Sequence, residues 1–409
     1  MKIRRRSLIA GAAALSMPAV HSASAADNII RIGMLDDMSG QYSEASGPGD
    51  ALGGLMAAED FMVSHPDIKV EVIKGDMLMK PDVGASLARQ WFDLQSVDAI
   101  FGIPHSAVAL AVSSVAAEKD KVLVLTAAGI PDLTGKYCSK NHVQWTYDLW
   151  SNSSAVARGL VAAGGDSWFF INPDYISGHV MAKDTGKIVE QLGGKVAGVA
   201  AYPFPGTTDF SAYILQAQAS KAKVLCLANA GDDTANCIKQ AHEFGLPQSG
   251  VKIACIVFQD YIARSVGLDA AAGIVGAMPF YWDMNADTRA FAARFAPRYH
   301  GAYPNYFHAG AYSAVTHYLK SCAALGVAKA KASGRATIEQ MKALPVLDPL
   351  FGEGSVRADG KHIHANRVWQ TKTKAQSKGE WDQFNLLATI PGDKAFQSME
   401  ELGCAFTKA

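Results

Sequence analysis

Short β-rich runs alternate with helical patterns along the chain from Ile29 onward. The run IIRIGMLDD is followed by GDALGGLMAAEDFMV, IKVEVIKGD by DVGASLARQWFDL, and VDAIFGI by SAVALAVSSVAAEK. Continuous apolar strands with helices between them are typical of a parallel sheet that helices cover on both faces. The chain is therefore predicted to be an α/β protein.

The alternation closes a first block at KVLVLTAAG and restarts around residues 147–154. SWFFINPDY, KVAGVAAYPF, KVLCLANAG and VKIACIVF then alternate with a second set of helical patterns. The chain has 409 residues, which exceeds the size at which a single core usually stops growing. Two doubly wound lobes are therefore predicted. Near the C-terminus, GEGSVRADGKHIHANRVWQTKT is expected to form a hairpin that turns at Asp359-Gly360.

Residues 1–25 have the composition of a secretory signal peptide. A basic start precedes an apolar stretch from Leu8 to Val20, and Ala23-Ser24-Ala25 provides a small-residue cleavage site near Ala25. The apolar stretch is too short to span a bilayer and is interrupted by Pro18. We expect an exported protein, with Sec and twin-arginine export both open. Removal of four cations takes the net charge from 0 to −4, which argues against nucleic acid as a partner.

The six cysteines do not have zinc-ligand spacing, so no metal site is predicted. Cys226, Cys255 and Cys322 lie in apolar strand or helix contexts and are expected to be buried thiols. Cys138 and Cys404 lie in polar, loop-like surroundings. They are the pair expected to form a disulfide in an oxidising compartment.

Each predicted strand ends in small or polar residues, as in DDMSG, GIPHS, TAAG, NPDY, NAGDD and FQDY. In open parallel sheets, ligands bind beyond the carboxyl ends of the strands, so these segments are expected to face each other across one cleft. No GxSxG, HExxH or Walker motif is present. His105 and Ser106 lack a third orienting group, so neither catalytic residues nor a cofactor are predicted.

Several residues at these strand ends are candidates for ligand contact. Ala127, Ala128 and Gly129 would leave main-chain N–H groups bare for a carboxylate, although a tight turn also explains them. Ser106 could donate its hydroxyl to the ligand or cap the following helix. Asp260 could accept from a ligand amine or hydroxyl, or cap a helix. The aromatic residues expected to line the pocket include Tyr42, Tyr175, Phe258, Trp282 and Phe307.

Together, IRIGMLDDMSGQYSEASGPGDALGGLMAAEDF, LTAAGIPDLTGKYC, DFSAYILQAQASKAKVLCLANAGDDTANCIKQAHEFG, FYWDMNADTRAFAARF and AGAYSAVTHYLKS resemble the branched-chain amino acid-type substrate-binding proteins of ABC transporters. The resemblance runs from residue 29 to the C-terminus and is strongest to a proteobacterial group, some members of which bind aromatic carboxylates. It implies a type I periplasmic binding fold with a three-segment hinge. Lobe 1 would comprise residues 27–148 and 281–352, and lobe 2 residues 149–280 and 353–409. The hinge is expected near Tyr147–Trp150, Pro279–Trp282 and Phe351–Ser355.

The resemblance also implies roles for individual residues. Ser106 and Ala127–Gly129 match the positions that hold the ligand carboxylate, Tyr175 matches a tyrosine across the cleft, and an acid for an α-amino group falls near Phe258–Asp260. Three positions depart from the family pattern: Gly129 replaces a threonine, Ala230 beside Asn229 replaces a tyrosine, and His308 replaces a glutamine. Fewer polar partners for an amino acid favour a flat ring that bears a carboxylate.

The sequence therefore predicts a monomeric periplasmic receptor of an ABC importer. It would capture a small carboxylate, preferentially an aromatic acid, and deliver it to an inner-membrane permease with a cytoplasmic ATPase. Branched-chain or other amino acids and amides remain an alternative ligand class. A ligand sensor for a signalling partner and an exported hydrolase are the alternative functions.

Overall fold

The computed structural model describes residues 28–407. The predicted signal peptide at residues 1–25 lies outside the described residues.

The first sheet has five parallel strands in the order β2-β1-β3-β4-β5. Its central strands β3 and β4 are buried at every residue, because helices cover both faces of the sheet. In chain order, the elements of this part of lobe 1 are β1 (Ile29–Asp36), α1 (Gly47–Ser64), β2 (Lys69–Asp76), α2 (Pro81–Leu94), β3 (Ala99–Gly102), α3 (Ser106–Glu118), β4 (Val122–Leu125) and β5 (His142–Gln144).

The second sheet is mostly parallel and belongs to lobe 2. The elements of the chain between the first and the second crossing of the lobes are α4 (Leu149–Ala162), β6 (Ser167–Pro173), α5 (Ile176–Gln191), β7 (Lys195–Tyr202), α6 (Ser211–Ala219), β8 (Val224–Leu227), α7 (Asp232–Glu243), β9 (Lys252–Cys255), α8 (Asp260–Val266), α9 (Leu268–Ala271) and β10 (Val275–Ala277).

The chain then returns to lobe 1 before it completes the second sheet. The remaining elements are α10 (Ala286–Phe295), α11 (Tyr306–Leu325), α12 (Val327–Ala332), α13 (Gly334–Ala343), β11 (Val346–Asp348), β12 (Gly352–Val356), β13 (His362–Ile363), β14 (Asn366–Thr371), β15 (Phe384–Ile390), α14 (Gly392–Ala395) and α15 (Met399–Leu402). The seven strands of lobe 2 are ordered β15-β14-β10-β9-β8-β6-β7, and β14 and β15 are antiparallel to their neighbours.

The helices α1 and α11 pack closely on lobe 1 because small residues line α1. A Cβ on Gly53 would lie 2.4 Å from the carbonyl oxygen of His308, so only glycine allows this approach. The two helices are therefore held together partly by backbone proximity, which side-chain patterns alone do not reveal.

The third crossing between the lobes lies further along the chain than predicted. Residues 351–355 were expected to form part of the hinge, but β12 pairs with β11 and β13 in a small separate sheet. This sheet contacts lobe 1 through a bridge between Gln144 and Lys361, and lobe 2 resumes at β14. The hairpin predicted at Asp359-Gly360 is confirmed, because β12 and β13 are antiparallel around that turn.

The C-terminal tail also departs from the predicted lobe 2 assignment of residues 353–409. Cys404 is bonded to Cys138, with the two sulfur atoms 2.04 Å apart, and Cys138 belongs to lobe 1. The tail after α14 therefore returns to lobe 1. The remaining four cysteines are free and buried.

Two acids lie at the end of β1, and one of them supports the segment that leads to Tyr42. The carboxylate of Asp37 accepts hydrogen bonds from the N–H groups of Gly40 and Tyr42, each at 2.8 Å. Asp36 is fully buried, and neither of its carboxyl oxygens has a hydrogen-bond partner among the described residues. Burial, with the nearby Asp50 carboxyl as a second cause, raises the pKa of Asp36 well above its usual value. Burial likewise raises the pKa of Asp50.

The raised pKa values predict that the free energy of unfolding falls as pH rises. Above about pH 4 the unfolded chain has released protons that the folded carboxyls of Asp36 and Asp50 retain, so folding takes up protons. In Asp36→Asn, the free energy of unfolding should fall less between about pH 4 and the raised folded-state pKa of Asp36. The fall should be smaller by about 1.4 kcal/mol for each unit by which folding raises that pKa.

Urea denaturation at several pH values measures this dependence. The matched control is Asp67→Asn, because Asp67 is exposed. If the curves of Asp36→Asn and the unmodified protein remain parallel over this range, the Asp36 carboxyl does not carry a retained proton.

Candidate functional site

The carboxyl ends of both parallel sheets meet in one cleft, and the cleft contains a small cavity of about 30 Å³. Both lobes supply its walls. The lining residues are Tyr42, Ala45, Pro104, Ala127, Gly129, Tyr147, Leu149, Tyr175, Ser177, Met181, Ala230, Gly231, Val257, Gln259 and Phe307.

Two pairs of hydroxyl groups join the lobes across this cleft. The hydroxyl oxygens of Tyr42 and Tyr175 lie 2.9 Å apart. The Oγ atoms of Ser106 and Ser177 lie 2.6 Å apart and are buried. Tyr42 and Ser106 belong to lobe 1, and the other two residues follow β6 of lobe 2. The structure is therefore a closed arrangement in which hydroxyl groups of one lobe form hydrogen bonds with hydroxyl groups of the other.

Aromatic rings stack around the hydroxyl pairs. The ring of Tyr175 lies between Phe204, at a centroid distance of 4.6 Å, and His105, at 5.4 Å. Burial lowers the pKa of His105 to about 4, so its imidazole is neutral at pH 7. A neutral ring stacked on Tyr175 is suited to forming an apolar wall and is a poor counter-ion for a carboxylate.

The small residues after β4 have two structural roles. A Cβ on Gly129 would lie 2.7 Å from the Tyr147 ring, so glycine allows this tyrosine to pack against the main chain. The Tyr147 hydroxyl donates to the carbonyl oxygen of Ala127 at 3.1 Å. Within residues 28–407, no protein acceptor pairs with the N–H of Ala128 or of Gly129. The sequence predicts bare N–H groups at Ala127, Ala128 and Gly129, but the N–H of Ala127 donates to the carbonyl oxygen of Gly102 at 3.3 Å.

Ser106 lies beside the cavity and makes a contact across the cleft. It is the first residue of α3, and the N-cap position is occupied by His105. The Oγ of Ser106 bonds to Ser177 and does not cap the helix.

Gln259 was missed by sequence reasoning and lies in the cavity wall. Its side chain is 1% exposed, and neither its amide nitrogen nor its amide oxygen has a hydrogen-bond partner among the described residues. Leaving a buried amide unpaired costs about 1–3 kcal/mol, so such a group in a cleft points to a ligand contact. The buried hydroxyl of Tyr306 also lacks a hydrogen bond of ordinary geometry in the described part of the chain, but the Gln259 amide lies near it and opposes the rise that burial causes in the pKa of Tyr306.

Phe258 and Asp260, the predicted neighbours of Gln259, do not line the cavity. Side chains alternate along an extended segment, so Val257 and Gln259 face the cleft, and Phe258 packs against Phe384 in the lobe 2 core. Asp260 begins α8, and its carboxylate accepts from the N–H of Tyr261 at 3.1 Å. Burial raises the pKa of Asp260 to about 7.

Three further predicted residues also lie outside the cavity. Asn229 is tied to α7, where its Oδ1 accepts from the Thr234 hydroxyl at 2.8 Å. His308 points into the lobe 1 core and stacks on Phe295 at 5.4 Å, because consecutive helix residues face different directions and Phe307 faces the cavity. Trp282 lies at the outer seam of the cleft, where its Nε1 donates to the Trp381 carbonyl oxygen.

The predicted residues that the structure places in the cavity wall are Tyr42, Ala127, Gly129, Tyr175 and Phe307. Ser177 and Gln259 were missed although each is within two residues of a predicted site residue, and Tyr147 was predicted only as part of the hinge. The missing signal is the direction of each side chain, which depends on where the strand ends and the helix begins.

The cavity is smaller than an aromatic ring. A cavity of about 150 Å³ admits benzene, whereas this one measures about 30 Å³. The tyrosine pair of the cleft occupies the space between the lobes. A ring-sized ligand therefore requires the lobes or these side chains to move apart.

Within residues 28–407, no group of three or more His, Cys, Asp or Glu side chains is placed to hold a metal ion. None of the helices in this range combines the length and apolar composition that a bilayer crossing requires.

Comparison with protein families gives a match to the model for periplasmic binding proteins over residues 29–379. A comparison with curated protein sequences gives no match. Proteins of this family bind small molecules in the periplasm and work with the permease and ATPase of ABC transporters.

Solved structures show the same fold. A periplasmic binding protein from Burkholderia mallei is 35% identical, with a TM-score of 0.86 over 93% of this chain and 100% of that one. A branched-chain amino acid ABC transporter periplasmic ligand-binding protein from Burkholderia xenovorans LB400 is 33% identical, with a TM-score of 0.82 over 93% and 100%. A solute-binding protein from R. palustris, in complex with 4-hydroxybenzoate, is 20% identical, with a TM-score of 0.78 over 90% and 98%. The chain therefore belongs to the periplasmic binding protein family, among the branched-chain amino acid-type substrate-binding proteins of ABC transporters.

Proposed function

We propose that this protein captures a small aromatic carboxylate between its two lobes, without altering it, for delivery to an ABC importer. The observation that carries the proposal is a cleft that both lobes line with hydroxyl groups, aromatic rings and unpaired donors. The proposal includes export by the N-terminal signal peptide and action as a monomer.

Several donors for a carboxylate belong to residues that line the cavity or adjoin its lining residues. The N–H groups of Ala128 and Gly129 are unpaired within the described chain, and the hydroxyls of Ser106 and Ser177 are adjacent to the cavity. A carboxylate accepts from several donors at once and could replace the bond between the two serines. Such a ligand would join both lobes through its anionic group.

The cavity wall at Gln259 favours a ligand without an ammonium group. Gln259 presents a neutral amide to the cavity, whereas the neighbouring Asp260 does not line it and accepts from the N–H of Tyr261. An α-amino group needs a carboxylate or several acceptors to offset its desolvation. An amide can instead both donate to and accept from a ring hydroxyl. This supports an aromatic acid over leucine, isoleucine or valine.

The cavity also has aromatic walls. Tyr42, Tyr175 and Phe307 line the cavity, and Phe204 stacks on Tyr175. A flat ring can take the place that the tyrosine hydroxyl pair occupies in this arrangement. The solute-binding protein from R. palustris in complex with 4-hydroxybenzoate supports this ligand class, although it is only 20% identical.

Ligand capture requires the lobes to open and close. A ligand shifts this equilibrium only through a difference in affinity for the two states, so it must contact both lobes. Contacts to the Ala127–Gly129 segment of lobe 1 and to Ser177 and Gln259 of lobe 2 meet this condition. Ligand contacts would then replace the cross-lobe hydroxyl bonds in the closed state.

A thermal-shift screen tests the ligand class. Benzoate and 4-hydroxybenzoate should raise the melting temperature, because ligand at a hundredfold excess over Kd adds about 2.7 kcal/mol to the free energy of unfolding. Leucine, isoleucine and valine should leave the temperature unchanged. Stabilisation by these amino acids and by neither benzoate would contradict the proposal.

Gln259→Glu should weaken binding of 4-hydroxybenzoate at least about tenfold, or 1.4 kcal/mol, because it places a second acid beside Asp260 in a buried wall. Titration calorimetry measures the change. The matched control is Gln216→Glu, an exposed site on lobe 2 that should bind as the unmodified protein does. Equal affinities for the two variants would remove Gln259 from the site.

Ser106→Ala should weaken benzoate binding about five- to tenfold, because a hydrogen bond to a charged group is worth about 1.5–3 kcal/mol and Ser177 retains part of the contact. Ser114→Ala, at an exposed position on the same helix, is the control. Calorimetric affinities that do not differ between the two variants would show that the Ser106 hydroxyl serves only the contact between lobes.

A further inference from the structure

The loop between β14 and β15 reaches from lobe 2 to lobe 1 at the outer seam of the cleft. The ring of Trp381, in this loop, stacks on Tyr303 with a centroid distance of 4.8 Å and an interplanar angle of 18°. Tyr303 lies just before α11 and belongs to lobe 1. The stack therefore joins the two lobes in this closed arrangement.

The loop is held in place from the lobe 2 and hinge side. The Trp381 carbonyl oxygen accepts from Trp282 Nε1 at 2.8 Å and from the hydroxyl of Tyr281, both in the second crossing segment. Asp382 accepts from the N–H of Lys378 at 2.9 Å and pairs with Lys372. These contacts position the indole before the lobes meet, so closure needs little additional ordering of the loop.

A second cross-lobe contact lies on the other face of the indole. The guanidinium of Arg264 lies 4.6 Å from the Trp381 ring centroid. Its Nη2 is 3.8 Å from Glu44 of lobe 1, and its Nη1 is 3.4 Å from Glu380 of lobe 2. Trp381 is therefore placed between a cation of its own lobe and an aromatic ring of the opposite lobe.

These residues are separate from the ligand cavity. Trp381, Arg264 and Glu44 border a groove of about 540 Å³ at the mouth of the cleft, and none of them lines the cavity. Changes at this seam can therefore alter closure without removing a ligand contact.

We infer that Trp381 and Tyr303, supported by Arg264 and Glu44, form a latch that stabilises the closed arrangement and sets ligand affinity from outside the cavity. The inference rests on the proposed lobe closure. When only the closed state holds a ligand, the apparent dissociation constant rises as the closed fraction falls. From the strength of aromatic pairs, loss of the stack should weaken binding about two- to tenfold.

Distances between the lobes test the latch without a ligand. Spin labels at Val63→Cys on lobe 1 and Val199→Cys on lobe 2 report closure, since both positions are exposed and the four free cysteines are buried. In the labelled protein with Trp381 present, part of the distance distribution should lie at the closed distance. In Trp381→Ala, this part of the distribution should shift to longer distances. An absent closed population in the parent, or an unchanged distribution in Trp381→Ala, would overturn the latch.

Matched variants separate stacking from other effects. Tyr303→Phe keeps the ring and should behave as the parent, whereas Tyr303→Ala should open the lobes in the same direction as Trp381→Ala. The double alanine variant should open less than the sum of the two single effects, because both single changes remove the same stack. Additive opening would show that the two rings act separately and would contradict the inference. Tyr137→Ala, an exposed aromatic residue on lobe 1, is the surface control.

Binding of 4-hydroxybenzoate to the same variants distinguishes the two proposals. Weaker binding by Trp381→Ala, with a faster release rate, supports the latch as an affinity determinant. If the unmodified protein binds none of the aromatic acids but the label distances still lengthen, the ligand class is wrong and the latch stands. If binding is intact and the distances do not change, the latch is wrong and the ligand class stands.

Discussion

The direction of the strands determines where this protein can bind a ligand. Because β1 to β5 run parallel, as do β6 to β10, the segments that follow them emerge at one edge of each sheet. Three crossings of the chain turn those edges toward each other. The cleft thus collects Tyr42, Ser106, Gly129, Tyr175 and Gln259 from five separate parts of the sequence. The hydroxyl pairs and the outer seam then exist only because these edges meet.

The fold could be predicted from the sequence because its signal is repeated. Each strand and helix contributes the same alternation, so an error at one element does not change the fold class. The third crossing was misplaced because β12 and β13 form a hairpin that pairs with β11, and a short hairpin has the same pattern in either lobe. The assignment of residues 353–409 to lobe 2 did not take account of the predicted disulfide between Cys138 and Cys404, which ties the tail to lobe 1.

The candidate site was predicted less accurately because it depends on side-chain direction. Phe258 and Gln259 are neighbours, yet one faces the core and the other faces the cavity, and Phe307 and His308 differ in the same way. The sequence placed the strand ends correctly but could not fix the residue at which each strand stops. Trp282 was also predicted to line the pocket. It follows a strand of lobe 2, but its side chain lies at the seam and bonds to Trp381.

The closed cleft is filled by side chains of the protein, so the central claim is that a ligand replaces them. The most direct measurement is a crystal structure of the protein grown with 4-hydroxybenzoate. We expect the carboxylate against the N–H groups of Ala128 and Gly129, the ring between Tyr42 and Tyr175 with their hydroxyls separated, and the ring hydroxyl at Gln259. A ligand bound outside the cleft, with the Tyr42–Tyr175 contact intact, would contradict the claim.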